Sequence, residues 1–352
     1  MKVVHMGGGL GNQMASYATL TASRLSNPGD KFFIETLVYN VSEANKSCCQ
    51  WNGYELDKVF GIYEKNILDE LNENEKAQII KDLSDTKFWE GNKEDWHIAQ
   101  VLNKYGFPNQ YQFSTDLDKN ENLNIIKSYI NNIKYKCMVY LNKQSNSYIE
   151  YFIKNNFKRF LAGKMQKSII GYKKRDEDYY YPACTFEFMK IPWLQKKLGN
   201  ELRKAFVFKK ITDKKNKEIL DVINNTNSVS IHARRSDFLR YNGDCYKFGY
   251  FKKATKYIKK KVNNPVFFIF SEDSDWCKNN IETFGLDSSK DTIYFVDWNI
   301  EKDSYIDMQL MSECKHNIIT KSSFGWWASF LNKNPDKITC CQIGEYITTN
   351  QF

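Results

Sequence analysis

The sequence predicts an α/β protein built on two parallel sheets, and three observations carry that prediction. An apolar run, Lys2 to Met6, passes through a glycine-rich turn into a helix-spaced segment and then a second apolar run, Lys31 to Val38, the outline of a βαβ unit. From Ile211 onward, strand-like runs alternate with helical stretches four times in succession. Polar residues cluster where these later strands should end: Arg234 and Arg235, Glu272 and Asp273, Asp297, then Ser322 and Ser323. Open α/β sheets bind ligands outside the carboxyl ends of their strands, so this clustering marks a candidate site.

A chain of 352 residues exceeds one average domain and can bury a sizeable core. The expected division is 1–210 and 211–352. Lys and Arg number 51 against 42 acids, a formal charge of +9. The excess is spread among acids and Asn-rich stretches, apart from runs such as Lys252 to Lys261. That favours an anionic ligand or a membrane surface and speaks against a dedicated nucleic-acid binder. The nine cysteines include adjacent pairs at Cys48-Cys49 and Cys340-Cys341 but no C-x-x-C, and only four histidines could help them. They are expected to be reduced thiols without a zinc site. No apolar run approaches the ~20 residues that span a bilayer. The chain opens on a strand, so the expected location is the cytoplasm, with any membrane contact made peripherally through charge at the inner face.

Taken in order, the first strand leads into Gly7-Gly-Gly-Leu-Gly-Asn-Gln13. A dinucleotide fingerprint counted from Gly7 needs a small residue where Asn12 stands, and counted from Gly9 it needs one where Met14 stands. No P-loop is present either. Two readings stay open: a tight turn capped by Asn12, or backbone brought close to a ligand with the Asn12 amide aimed at it. Asn27-Pro-Gly-Asp30 is a turn. Residues 51–208 show helical runs such as Glu121 to Lys143, with neither a repeat nor a linker. Glu218 to Ile223 then reads as a helix and Ser228 to Ile231 as a strand. Tyr250 to Val262 is amphipathic, with Phe251, Ala254, Tyr257 and Ile258 on its inner side. Pro265–Phe270, Thr292–Val296 and Asn317–Thr320 read as strands, with helices over Ser274–Ile281, Tyr305–Cys314 and Ser323–Leu331.

The densest chemistry is His232-Ala-Arg-Arg-Ser-Asp237. Guanidinium groups are rigid donor forks that match phosphate oxygens, and Asp237 is placed to hold one while the other meets a ligand. An ordinary surface Arg–Asp pair is the plain alternative. Ser322-Ser323-Phe324, at a helix start, suits an anion, or merely caps the helix. Trp326 and Trp327 read as core, and Asp307 as an acid complementing its own helix dipole. Asp273-Ser-Asp275 and Asp176-Glu-Asp178 match the weak D-x-D pattern, but Asp275 is equally well placed as a cap, and no metal is expected.

In this order the blocks Gly7 to Met14, His232 to Asp237, Phe268 to Asp273 with Trp276-Cys-Lys278, and Cys314 to Ile319 with Ser322 to Trp327 resemble the bacterial α-1,2-fucosyltransferases of glycosyltransferase family 11. The resemblance implies two facing Rossmann-like domains of GT-B type, with the acceptor on the first and GDP-fucose on the second. It implies the β-phosphate for Arg234, with Arg235 and His232 on the pyrophosphate side, and guanine for Asp307, sixteen residues before Ser323. Ser322, Ser323, Phe324, Gly9 and Gly11 fall to donor binding, Asn12 to the reaction centre, and Asp237, Glu272 and Asp273 to structural support. The implied reaction is metal-independent inverting transfer of L-fucose from GDP-β-L-fucose to the 2-hydroxyl of a β-galactoside, on a surface glycan or a lipid-linked oligosaccharide, with no cofactor. Another linkage such as α-1,6, or another nucleotide sugar, is the alternative within enzymes. A glycan- or RNA-binding protein is the alternative outside them, and the arginines lack the interleaved aromatics that RNA binding uses.

Overall fold

The computed structural model describes residues 1–47, 52–90, 98–108, 136–137, 140–141, 143–165, 177–181, 192–239 and 243–341. The chain forms two compact units, Met1–Tyr135 with Ile170–Val207, and Lys136–Ile169 with Phe208–Phe352.

The first unit is built on a parallel sheet in the order β2-β1-β3, with β1 Lys2–His5, β2 Phe32–Glu35 and β3 Tyr179–Tyr181. All four residues of β1 are buried, which suits a central strand covered on both faces. The helix α1, Leu10–Ser26, crosses from β1 to β2 and packs against a helix over Pro192–Ala205. Strand β2 is shorter than the run from Lys31 to Val38 suggested. The Glu35 carboxylate accepts the Leu37 N–H at 3.0 Å, and the chain coils into a 3-10 turn over Leu37–Asn40. Glu73–Asp85 starts at a capping box in which Asn72 and Glu75 each bond the other's backbone N–H. Most of the run from Glu121 to Lys143 lies outside the described residues.

The second unit has a five-stranded sheet, β6-β5-β4-β7-β8, parallel throughout. Its strands are β4 Asn227–His232, β5 Pro265–Phe270, β6 Thr292–Val296, β7 His316–Ile319 and β8 Thr339–Cys341. Phe267, Phe268, Ile269 and Phe270 of β5 are all buried, each contributing roughly 1.5–3 kcal/mol of burial. A strand buried on both faces must be apolar at every position, and so reads as a continuous run. Its helices are α2 Tyr148–Met165, α3 Lys214–Asn225, α4 Tyr250–Lys261, α5 Ser274–Asn279, α6 Tyr305–Glu313 and α7 Ser323–Leu331. Phe251, Ala254 and Ile258 of α4 are buried as expected, but Tyr257 is half exposed. Trp326 and Trp327 lie in the core.

The contiguous division at residue 210 is interrupted, because 136–169 packs with the C-terminal unit. The Asp244 carboxylate accepts the Ser145 N–H, Gln144 donates to the Leu239 carbonyl, and Tyr151 stacks on Phe248 with centroids 4.9 Å apart. These contacts join residues about a hundred positions apart, beyond the reach of local periodicity.

Candidate active site

β4 is the first strand of its sheet, and the later strands fall on both sides of it. The order of addition therefore reverses between β4 and β7, which makes the crevice outside their carboxyl ends the switch point of the sheet. His232 ends β4, with Arg234 and Arg235 just beyond it, while Ser322 and Ser323 follow β7.

Four hydrogen bonds fix the backbone after β4. The Ala233 N–H donates to the Phe270 carbonyl at 2.9 Å, and the Ser271 hydroxyl donates to the Ala233 carbonyl at 2.7 Å. The Tyr246 hydroxyl donates to the Arg234 carbonyl at 2.8 Å, and the Arg235 N–H to a Glu272 carboxylate oxygen at 2.6 Å. The next residue, Ser236, sits at φ +37°, a left-handed conformation that costs a side chain on the order of 1–2 kcal/mol. The surrounding bonds hold it there.

The two arginines are not equivalent forks. Arg235 is buried, its Nε donates to Asp273 at 2.8 Å, and its guanidinium lies 3.3 Å from the centre of the Trp276 ring. Tyr246 lies beyond, with its ring centre 5.0 Å away. A carboxylate and two ring faces thus compensate a cation taken out of water. Arg234 is more open, with its Nη1 3.3 Å from Glu272. The Asp237 side chain, expected to orient a guanidinium, lies outside the described residues. Among the described ones, that work is done by Glu272 and Asp273.

His232 is 5% exposed and wedged between β4 and the start of α7, with its ring centre 5.6 Å from that of Phe324. A Cβ on residue 325 would lie 2.5 Å from His232 Nδ1, so the third position of α7 must be glycine. Burial, with Arg234 nearby, pushes the His232 pKa down to about 3, so the ring is neutral. Nδ1 makes no hydrogen bond among the described residues.

Ser322 occupies the N-cap of α7, yet its side chain makes no capping bond, so the plain capping reading is not realised. The first N–H groups of a helix lack intrahelical partners and face outward at the positive end of its dipole. Tyr250 steadies this turn from beneath, since its hydroxyl bonds the carbonyls of Ile319 at 2.6 Å and Cys340 at 2.8 Å. Ser322, Ser323 and Phe324 all keep part of their surface open.

Asp307 sits in the first turn of α6, which packs on α7. Asn299 donates to its carboxyl at 2.8 Å, and Asn299 is itself paired with Asn216, whose side-chain oxygen also accepts the Trp298 indole N–H at 2.8 Å. Desolvation pushes the Asp307 pKa up to about 8, against the pull of the Asn299 bond. Asn216 and Asn299 carry no sequence signal, because asparagines are abundant and these two meet only in the fold.

In the first unit the N-cap of α1 is Gly9, and Asn12 is the third helical residue, exposed rather than capping. Gly8 has φ +73°, and a Cβ there would lie 2.6 Å from the Asn12 amide nitrogen. Gly11 is buried in the first turn and Gly9 half-buried. The buried Gln13 ties the loop down: its amide nitrogen donates to the carbonyls of Gly8 at 3.0 Å and Gly53 at 2.8 Å, and its oxygen accepts the Glu55 N–H at 2.8 Å. Beneath lies a network that sequence reading missed. His5 bonds Glu35, its register partner across the sheet, and Glu35 also accepts the Tyr180 hydroxyl at 2.8 Å. The one signal for it is a histidine inside an apolar strand.

Of the two D-x-D matches, only Asp273 and Asp275 are both described, and they point to different work. Asp273 accepts from Arg235, Asp275 is almost fully exposed and does not cap α5, and Asp176 lies outside the described residues. Among the described residues no three His, Cys, Asp or Glu side chains gather.

An arginine at the switch point of a parallel sheet, across from a helix start, is an arrangement suited to an anionic ligand. Residues 101–344 match the model of glycosyl transferase family 11, well over half of the chain, and the chain belongs to that family. It is 42% identical over 127 residues to an alpha-1,2-colitosyltransferase of Escherichia coli, covering 34% of this chain and 41% of that one. It is 32% identical over 108 residues to a galactoside alpha-(1,2)-fucosyltransferase 1 of Aotus azarae, covering 29% and 28%. The matched stretches thus span less than half the length of these relatives. The fucosyltransferase NodZ from Bradyrhizobium, a solved structure, is similar at 11% identity over 94% of this chain and 92% of that one, with a TM-score of 0.43.

Proposed function

We propose that the protein transfers L-fucose, with inversion, from GDP-β-L-fucose to the 2-hydroxyl of a terminal β-galactoside on a bacterial surface glycan or its lipid-linked precursor. The observation that carries this reading is Arg234, presented on a backbone fixed by its neighbours at the switch point. Membership of family 11 supports it, as do two relatives whose names both specify an α-1,2 linkage.

In this reading the second unit binds the donor and the first the acceptor. Transfer is a single displacement in which the sugar gains oxocarbenium character while negative charge grows on the departing GDP. Arg234 meets that charge with two parallel N–H bonds, joined by the open N-terminus of α7 at Ser322 and Ser323. Arg235 positions Arg234 by locking the loop, and His232 seats the start of α7. Asp307 accepts from guanine N1–H and N2–H, donors that adenine does not offer as a pair. Because those donors favour the carboxylate, guanine binding expels the proton that burial keeps on Asp307. Asn12 lies at the reaction centre. Cytoplasmic placement at the inner face of a membrane accompanies a lipid-linked acceptor. Among the described residues, no helix is long and apolar enough to cross a membrane.

A second reading, transfer of colitose, draws on the 42% identity with the colitosyltransferase. Colitose lacks one hydroxyl that fucose carries, so one assay separates the two. Turnover of GDP-fucose, GDP-colitose, GDP-mannose and UDP-galactose would be measured with a β-galactoside acceptor in excess EDTA, followed by linkage analysis. GDP-fucose should be used fastest, giving an α-1,2 product without added metal. Preference for GDP-colitose would install the second reading, an α-1,6 product would move the linkage, and rescue by Mn²⁺ would overturn the metal-free mechanism.

A further inference from the structure

Over its described side chains, which lie in its first ten residues, helix α2 is turned inside out. Ile149, Phe152, Ile153 and Phe157 recur at the spacing of one helical face, the stripe that normally points into a core. Here they are 72%, 58%, 60% and 41% exposed. Among the described side chains of the helix, the buried one is Lys154, at 3%. Its ammonium pairs with Glu150 at 2.7 Å, donates to the Lys143 carbonyl at 3.1 Å, and sits 4.4 Å from the centre of the Tyr140 ring. The roll of this part of the helix is set by the Lys154 contacts together with the stack of Tyr151 on Phe248, and the apolar stripe is what they leave outside.

A basic helix adjoins that stripe. Lys253 of α4 donates to the hydroxyl of Tyr148, the first residue of α2, at 3.1 Å. Helix α4 carries six lysines and no acid. Among the described residues only Lys259 of the six forms an ion pair, with Asp291. Lys253, Lys256 and Lys260 share one exposed face with Tyr257, which is 50% exposed. An apolar ridge flanked by uncompensated lysines is complementary to an anionic bilayer, whose boundary takes up the apolar side chains while its headgroups meet the ammonium groups. A second copy of the chain suits the ridge less well, because a two-fold pairing would bring the lysine-rich helices together.

We propose that α2 and α4 form a membrane-docking surface, with Ile149, Phe152 and Ile153 entering an anionic lipid leaflet and the lysines of α4 lying on its headgroups. This deepens the peripheral association suggested above, and it stands whether or not the transferred sugar is fucose.

The test is co-sedimentation of the full chain with phosphatidylcholine vesicles, with and without phosphatidylglycerol. The wild type should partition only onto the anionic vesicles and be released as salt rises. The triple variant Ile149→Ser, Phe152→Ser, Ile153→Ser should lower that partition by about tenfold or more. Lys253→Glu with Lys256→Glu should weaken it by at least about as much, since each lysine near such a surface is worth roughly fivefold. Turnover with a soluble acceptor should be unchanged in both variants, which keeps this outcome separate from the identity of the reaction. Equal binding of the wild type and the triple variant, or no binding by the wild type, would overturn the proposal. So would a concentration-dependent dimer in sedimentation velocity that the triple variant abolishes, which would make the ridge an interface between copies.

Discussion

Arg234 and Arg235 carry the same charge one residue apart, and their surroundings give them different work. Replacing Arg234 with lysine keeps the charge but removes the planar fork that spans two phosphate oxygens. Arg234→Lys should therefore keep its melting transition and lose roughly 10²–10³ in kcat, about 2.7–4 kcal/mol of barrier, with little change in the KM for the donor. Arg235→Ala should behave the other way. Removing the buried guanidinium takes away its bond to the part-exposed Asp273 and its packing on Trp276, which should be read as a lower denaturant midpoint. If Arg235→Ala kept its midpoint and lost kcat instead, the assignments would be reversed. The arginine pair was legible in the sequence, but the division of labour was not. It depends on Glu272, Asp273 and Trp276, which lie some forty residues away and reach the arginines only because β4 and β5 are neighbours.

At the scale of elements, the joint between β4 and α7 is the contact that shapes the site. Glycine inside a helix normally costs about 1 kcal/mol relative to alanine, so Gly325→Ala should stabilise a free-standing helix. Here a methyl would drive into His232, and the variant should instead lose about 1–3 kcal/mol. In a double-mutant cycle, adding His232→Ala should recover part of that loss, whereas strictly additive penalties would mean the two residues do not press on each other. The strands flanking this joint were readable to within a residue or two, because buried parallel strands are uninterrupted apolar runs. Other elements were less legible for physical reasons. An apolar stripe reports helical spacing but not which way it faces, so the exposed ridge of α2 and the outward Tyr257 had no sequence signal. The return of 136–169 to the C-terminal unit rests on pairings such as Ser145 with Asp244, which no local pattern encodes.

For the molecule as a whole, two groups at the candidate site set opposing dependences of stability on pH. His232 is held neutral with a pKa of about 3, against 6.5 for an ordinary histidine, so the unfolded chain binds the extra proton between those values. Stability from this group falls as pH drops below 6.5. Asp307 is the converse: the folded chain keeps its proton up to about pH 8, while an ordinary aspartate releases it near 3.8. Stability from that group falls as pH rises from 3.8 to 8. The two slopes cancel between about pH 4 and 6.5, leaving the Asp307 decline alone above that window. Thermal midpoints across pH 4–9 should show it, and Asp307→Asn should flatten the decline above pH 6.5. A decline that persisted unchanged in Asp307→Asn would place its source in another group.

If Arg234 binds the diphosphate as proposed, Glu272 already occupies part of the seat that a phosphate would take. Its carboxylate lies beside Arg234 and at the same time accepts the Arg235 N–H, so it is both a stand-in anion and a strut of the loop. Arrival of a diphosphate is then an exchange of partners rather than the filling of a bare charge. The site gives up some ground-state affinity and gains an arginine that keeps its aim while empty. In the proposed reading the same carboxylate would take the guanidinium back when the nucleotide departs, favouring release of the spent carrier and readying the site for the next turnover.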